Sequence, residues 1–196
     1  MKKCLLHGWL LIFGLVAFMA KISAQTADPN NYAFTTVTNG NLTLDKNGNT
    51  VDMTTGTFQL IGPSSAGSGS GGYVFPFSNW KFMNQSITSF SVGTNGVLGL
   101  NTTTITGGNN LFGGASIRIS PFTSGITGAS TTSSSGKVHI KTIGTTPNRT
   151  CVIEWLNLGF GAASTTADAT YQVRLYEATG DIEFVYQGVA IGSNSG

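Results

Sequence analysis

Charge is scarce in this chain. Lys, Arg, Asp and Glu make up 9% of its 196 residues, against about 25% in typical soluble proteins. Gly, Ser, Thr and Asn take their place. That alone would permit disorder, but 40% hydrophobic and 10% aromatic content supplies a core. An all-β domain with long polar loops satisfies both. Cysteine and histidine are scarcer still, two of each: Cys4, Cys151, His7 and His139. No HExxH or CxxC spacing occurs, so the common zinc and redox motifs are excluded. Helical periodicity is missing beyond the first two dozen residues, and no internal repeat is visible.

Those first residues are a targeting segment. Lys2 and Lys3 precede an apolar run from Leu5 to Met19, and Ile22-Ser23-Ala24 offers a small residue at the cut. The run is too short for a membrane span and lacks a stop-transfer flank, so it reads as a secretory signal peptide over 1–24. Removing it leaves 172 of the 196 residues, enough for one domain, 25–196, with no membrane span. It also removes Lys2, Lys3 and Lys21 from the ten basic residues, leaving seven against eight acids. The sequence pI of 8.6 therefore belongs largely to the leader. A net charge of about −1 leaves no basic field for nucleic acid. Cys151 is then the lone cysteine, without an internal disulfide partner, and its strand context marks it as a small buried hydrophobe.

The residues that are present fall into short β-rich runs. The richest stretch is Pro147 to Gly188, with runs Thr150–Leu158, Thr170–Glu177 and Ile182–Tyr186. In the second, Tyr171, Val173 and Leu175 alternate with Gln172, Arg174 and Tyr176; in the third, Ile182, Phe184 and Tyr186 alternate with Glu183, Val185 and Gln187. The turn Ala178-Thr179-Gly180-Asp181 joins them. A two- or four-residue loop sets Leu175 opposite Phe184 and Val173 opposite Tyr186, keeping the apolar faces together. The first run is apolar on both faces, which predicts a central strand covered on both sides.

Upstream, Asn47-Gly48 predicts a type I′ hairpin with Leu44 opposite Val51 and Leu42 opposite Met53. A calcium loop is the competing reading, since Asp45, Asn47, Asn49 and Asp52 are spaced oxygen ligands. An EF-type loop needs Gly sixth and an acid twelfth; here Gly48 is fourth and Gly56 twelfth. Ser64 to Gly72 reads as a mobile loop. It lacks the Lys and helix of a phosphate-cradling glycine loop. Tyr73 to Phe82 is densely aromatic, and Pro76 makes it an edge or bulged strand. Packing or a ligand platform would each use these rings. Ser86 to Leu100 is a hairpin turning at Asn95-Gly96. Ala115 to Phe122 is a strand that Pro121 ends, and Thr123 to Gly136 is a long Ser/Thr/Gly loop. In Lys137 to Ile143, Lys137, His139 and Lys141 share one face, either a solvated edge face or a small basic stripe for an acidic polysaccharide. About eleven strand candidates at this spacing predict an antiparallel β-sandwich of jelly-roll type.

No catalytic constellation emerges. His139 is expected on an exposed face between two lysines, with no marked nucleophile. Of the acids in the core stretch, Asp181 belongs to the turn and Glu177 closes it. Glu154 and Glu183 are expected to look outward, where Arg174 can pair with one of them. No catalytic, cofactor or metal residue is assigned. The one ligand-binding candidate is Trp80, expected to be partly exposed beside Asn79 and Lys81 and to centre any carbohydrate site.

Several pieces together resemble a recurring N-terminal domain of large secreted Bacteroidetes proteins. They are Tyr32-Ala33-Phe34, Phe75-Pro76-Phe77, Phe90-Ser91-Val92 with Thr94-Asn95-Gly96-Val97-Leu98, and Pro147-Asn148-Arg149 with Ile153-Glu154-Trp155. Tyr171 to Glu177 with Gly180-Asp181-Ile182-Glu183-Phe184 completes the set. The chain is also distantly similar to nidogen-like extracellular domains. The resemblance implies a fold and a location, not a ligand. It implies a secreted or outer-surface module, often followed by fibronectin type III-like domains and a type IX secretion sorting domain. Acids that in the family precede the Phe-Pro-Phe strand and follow the Pro121-Phe122 pair are replaced here by the Gly/Ser loop and by Thr123-Ser124-Gly125, so no metal role carries over. The ending Ile191 to Gly196 suggests the front end of a longer protein. The expected function is a non-enzymatic adhesion or ligand-binding module, with polysaccharide as a candidate partner. The alternatives are an accessory domain of a secreted hydrolase or a structural spacer.

Overall fold

The computed structural model describes residues 32–38, 40–65, 67–105, 117–121, 130–131, 135–160 and 166–188. The segment expected to be a signal peptide, residues 25–31, residues 106–116, most of the Thr123–Gly136 loop, residues 161–165 and residues 189–196 lie outside the described residues. Twelve strands are described. In chain order they are β1 (Phe58–Ile61), β2 (Gly69–Val74), β3 (Lys81–Phe82), β4 (Gln85–Ser86), β5 (Ser89–Gly93) and β6 (Leu98–Leu100). There follow β7 (Ile117–Ile119), β8 (Ser130–Thr131), β9 (Lys137–Ile143), β10 (Thr150–Gly159), β11 (Ala169–Tyr176) and β12 (Ile182–Gln187).

The large sheet has the order β1-β9-β10-β11-β12, with β8 paired to the end of β10. A second sheet has the order β2-β5-β6-β7, and β3 and β4 form a small ribbon. Every pairing is antiparallel. One core joins the two sheets. Cys151, Ile153 and Trp155 of β10 and Tyr171, Val173 and Leu175 of β11 pack in the same cluster as Phe90, Val92, Leu98 and Leu100 of the second sheet. Trp155 Nε1 donates to the Gly93 carbonyl at 2.9 Å, a direct bond between the layers. The fold is thus an antiparallel β-sandwich. β10 is the middle strand of the large sheet, as its two apolar faces require, and Thr150 through Trp155 are all buried. Burial pushes the Cys151 thiol up to about 12, which suits a packing residue and not a nucleophile.

Two turns differ from the sequence reading. In the β11–β12 hairpin the parity holds but the register moves by two: Val173 faces Phe184, Leu175 faces Ile182 and Tyr171 faces Tyr186. The turn takes Glu177 because Arg149 holds that residue. Arg149 Nε and Nη2 donate to the two Glu177 carboxylate oxygens at 2.8 and 2.5 Å, and Glu177 N–H donates to the Arg149 carbonyl. At Asn47-Gly48 the hairpin slips by one. Leu44 bridges Thr50, not Val51, and of the pair only Gly48 has positive φ, 80°. The cause is Asp45. Its carboxylate accepts from the N–H groups of Asn47 and Asn49 and from the Asn49 amide. Gly48 N–H then donates to the Asp45 carbonyl. An Asx-capped turn with Gly at the bulge position replaces the type I′ turn. The slip turns Leu44 to solvent and seats Val51 and Met53 inward. A pair of positive-φ residues typical of a type I′ turn occurs instead at Met83-Asn84 between β3 and β4, with φ 49° and 61°. There Met83 N–H donates to the Tyr32 hydroxyl.

The Gly/Ser stretch is also corrected. Gly69 to Gly72 belong to β2; Gly69 and Ser70 pair with β5, and Gly71 and Gly72 fall in a register shift before Tyr73. Glycine is needed there because a Cβ on Gly71 would strike the Thr103 carbonyl and the Ser91 side chain. β2 ends before Pro76, as an edge strand of its sheet.

Candidate functional site

The two faces of the large sheet are both covered, but by different chemistry. The inner face is the apolar core. On the outer face, cross-strand register places His139, Glu154, Gln172 and Val185 in one row across β9 to β12. Lys141, Val152, Arg174 and Glu183 form the next row. Such rows would normally meet water. Here the segment 41–55 lies over them as a strap.

Arg174 fastens the strap. It is 0% exposed, and its guanidinium spends its donors on a complete set of acceptors. Nε donates to Gln172 Oε1 at 2.8 Å. Nη1 donates to the Leu44 carbonyl at 2.6 Å and to Glu183 Oε2 at 3.2 Å. Nη2 donates to the carbonyls of Asn41 and Leu42 at 2.8 and 3.0 Å. A buried charge is tolerable only when paired and bonded in this way. Lys141 Nζ fastens the other end, donating to the carbonyls of Asp52 and Thr55 at 2.6 and 2.7 Å. A small apolar cluster of Val51, Met53 and Val152, with Ile143 against it, lies between the two anchors. The expectation that Arg174 pairs with Glu154 or Glu183 resolves to Glu183, whose carboxylate also accepts from the Tyr176 hydroxyl at 2.6 Å. That bond adds to burial, the larger cause, in raising the Tyr176 phenol well above its ordinary value.

His139 and Glu154 are not exposed, contrary to the alternation reading. His139 is 1% and Glu154 5% exposed. His139 Nε2 lies 2.7 Å from Glu154 Oε1, and Gln172 Nε2 donates to Glu154 Oε2 at 2.7 Å and to the Leu42 carbonyl at 3.2 Å. His139 Nδ1 has no partner among the described residues. Alternation places these side chains away from the apolar core, as found. It does not show that 41–55 folds back over them. The one available signal is the charge and amide content of strands otherwise rich in β-formers: His139, Glu154, Gln172 and Arg174 all sit in neighbouring strands.

Beside the strap opens a cleft of about 640 Å³. Leu42, Thr43 and Thr50 to Thr54 form one side. Lys137, Glu154, Leu156 and Asn157 form the floor, and Thr170, Gln172 and Gln187 the opposite side. A register irregularity in β10 between Trp155 and Leu158 shapes the floor. Asn157 sits in it at φ 50°, with its N–H donating to Thr170 Oγ1 and its amide donating to Ser135 Oγ at 2.8 Å. A bulge of this kind re-aims side chains at a sheet surface.

Trp80 does not belong to this cleft. The expectation of partial exposure is corrected: it is 3% exposed, its ring stacks on Phe82 at 6.2 Å and lies 5.1 Å from Phe75, and Nε1 donates to the Tyr176 carbonyl at 3.0 Å. Packing claims the ring, and neither face is open to a sugar. The calcium-type oxygens are also committed. Asp45 binds its own turn, and Asp52 accepts from Thr54 N–H, Thr54 Oγ1 and Thr55 Oγ1. The basic stripe reduces to one cleft-facing ammonium, because His139 is engaged by Glu154 and Lys141 by the strap.

No curated protein and no solved structure matches the chain. Among the described residues no helix is long and apolar enough to cross a membrane. The family model described as NIDO related matches residues 31–196, and the chain belongs to the NIDO-related family.

Proposed function

We propose that this chain is a non-enzymatic extracellular binding module, serving adhesion or carbohydrate capture at a bacterial surface, with the cleft beside the 41–55 strap as its ligand site. A NIDO-related β-rich domain fits an extracellular module. The signal-peptide pattern and the Bacteroidetes-type motif order support export as part of a larger, type IX-secreted protein. One observation carries the site. The strap's carbonyls are held by Arg174, Gln172 and Lys141, while the side-chain polar groups that Lys137 and Gln187 bring to the cleft make no hydrogen bond or ion pair among the described residues. Amides, hydroxyls and a carboxylate around apolar Leu156 and Met53 suit a polyhydroxylated ligand.

Binding is favoured over catalysis by the state of the His139–Glu154 pair. A general base must reach substrate, and His139 lies buried with Nε2 already on Glu154. A glycan array probed with the full chain tests the reading. Retention of a defined glycan set, lost on Gln187→Ala with the melting temperature unchanged, supports it. Uniform absence of binding favours the spacer. A hydrolase domain encoded downstream in the same reading frame would favour the accessory role.

A further inference from the structure

We infer that the cleft selects an acidic glycan, with a uronate ring held between Lys137 and Glu154. This deepens the binding reading above and rests on it. Charge in the cleft is unevenly matched. Three ionisable side chains that line it are Lys137, Asp52 and Glu154. Asp52 sits 3.6 Å from the Lys141 ammonium and has its oxygens on Thr54 and Thr55. Glu154 is held by His139 and Gln172. The Lys137 ammonium makes no hydrogen bond or ion pair among the described residues. It is half-buried on the cleft floor, where an ammonium is partly desolvated and gains from a counter-charge.

Spacing sets the size of the ligand. Lys137 pairs with Leu156 and His139 with Glu154, so Lys137 and Glu154 are diagonal cross-strand neighbours, roughly 7–8 Å apart by backbone geometry. That is the scale of one sugar ring. Glu154 Oε1 meets His139 and Oε2 meets Gln172, and each oxygen keeps a lone pair for a second donor. A ligand fitting both ends carries an anion for Lys137 and hydroxyl donors for Glu154. Leu156, opposite Lys137, supplies an apolar surface for the C–H face of the ring between them, and Gln187 supplies an amide at the rim. A hexuronate has this arrangement; a neutral hexose has only the hydroxyl half.

The probes are polygalacturonate and its fully methyl-esterified form, titrated by calorimetry against the full chain. The wild type is expected to bind the free acid at least tenfold more tightly than the ester. Lys137→Met is expected to lose that tenfold preference while melting like wild type, and Lys137→Arg to retain it. Equal affinity for acid and ester, or an unchanged preference in Lys137→Met, overturns the uronate inference. If neutral glycans nevertheless bind and Gln187→Ala abolishes that binding, the binding function stands without it. If neither polymer nor any arrayed glycan binds, both readings fall.

Discussion

The inner and outer faces of the large sheet are buried by opposite means. Inside, Cys151, Ile153, Trp155, Tyr171, Val173 and Leu175 meet the second sheet in one apolar cluster. Outside, His139, Glu154, Gln172 and Arg174 are buried too, but by hydrogen bonds, with Gln172 and Arg174 bonded to backbone carbonyls of a strap and Glu154 at the edge of the cleft. The inner face is stabilised by removing carbon from water, which is tolerant of small shape changes. The outer face depends on a closed set of hydrogen bonds, in which one missing partner strands the others. The apolar face therefore sets the fold. The polar face sets where the strap lies, and with it whether the cleft exists.

Damaging each face in turn separates the two. Trp155 is fully buried and bonds across the sandwich to Gly93. Trp155→Ala is expected to cost about 3–5 kcal/mol of stability, a large share of a domain's total. Phe184 is the internal control. Alternation assigns it to the core face, but it is 37% exposed while its neighbour Val185 is buried, because β12 is the edge strand and the 40–44 segment covers its other side near Gly40. Phe184→Ala should cost distinctly less. Urea unfolding of the two variants decides it: equal midpoints would show that the inner face does not dominate stability.

Arg174→Met attacks the outer face while keeping much of the volume. It strips the carbonyls of Asn41 and Leu44 and Gln172 Oε1 of the Arg174 donor, and leaves the Leu42 carbonyl with Gln172 Nε2 alone and Glu183 Oε2 with the Tyr176 hydroxyl alone. Breaking one side of a buried pair costs roughly 3–5 kcal/mol, and part of that loss here can be relieved because the strap can lift and let water in. The expected outcome is a global loss smaller than that of Trp155→Ala, with local loss of amide hydrogen-exchange protection at Val51 and Gly48, whose N–H groups bond within the strap. Unchanged protection there would show that the strap is held by its apolar contacts alone.

What the sequence disclosed follows the same division. The sandwich, the central strand and the alternating faces of β10 and β11 were legible because apolar side chains at period two have one physical meaning. The strap was not. Period two says that Glu154 and Arg174 leave the core, and solvent is the default on that side; only a long-range contact with 41–55 shows otherwise. Turn register was hidden for a related reason. Asp45 and Glu177 hold their turns through side-chain bonds, one to its own turn and one to Arg149 at the start of the neighbouring β10, and a dipeptide rule for Asn-Gly sees neither. The burial of Trp80 was hidden too, because a neighbouring proline indicates an edge strand, whereas the indole N–H found a buried carbonyl on Tyr176.

Acid should act more gently than either substitution. Four carboxylates sit below their ordinary values. Hydrogen bonds from Thr54 and Thr55, with Lys141 nearby, hold Asp52 far down. Arg149 lowers Glu177, and Lys46, with Thr179, lowers Asp181. For Asp45 burial pulls upward, but bonds from Asn49 and Asn47 outweigh it. Lowered folded-state values mean that the unfolded chain binds protons first, so stability is fully present above the unfolded range near 3.8 to 4.5 and declines as pH falls through the lower folded values. Three of these four acids lie in the strap or the turn it touches: Asp45, Asp52 and Asp181, the last bonded to Lys46. Acid should therefore loosen the outer face first. Between pH 7 and 5 the melting temperature should be flat with respect to these groups. Below about pH 4 hydrogen-exchange protection should fall in 41–55 before it falls in β10, and the separation should vanish in Arg174→Met, where the strap is already loose. Simultaneous loss in both regions, in the wild type, would mean that strap and sandwich unfold as one unit and that the two faces are not independently held.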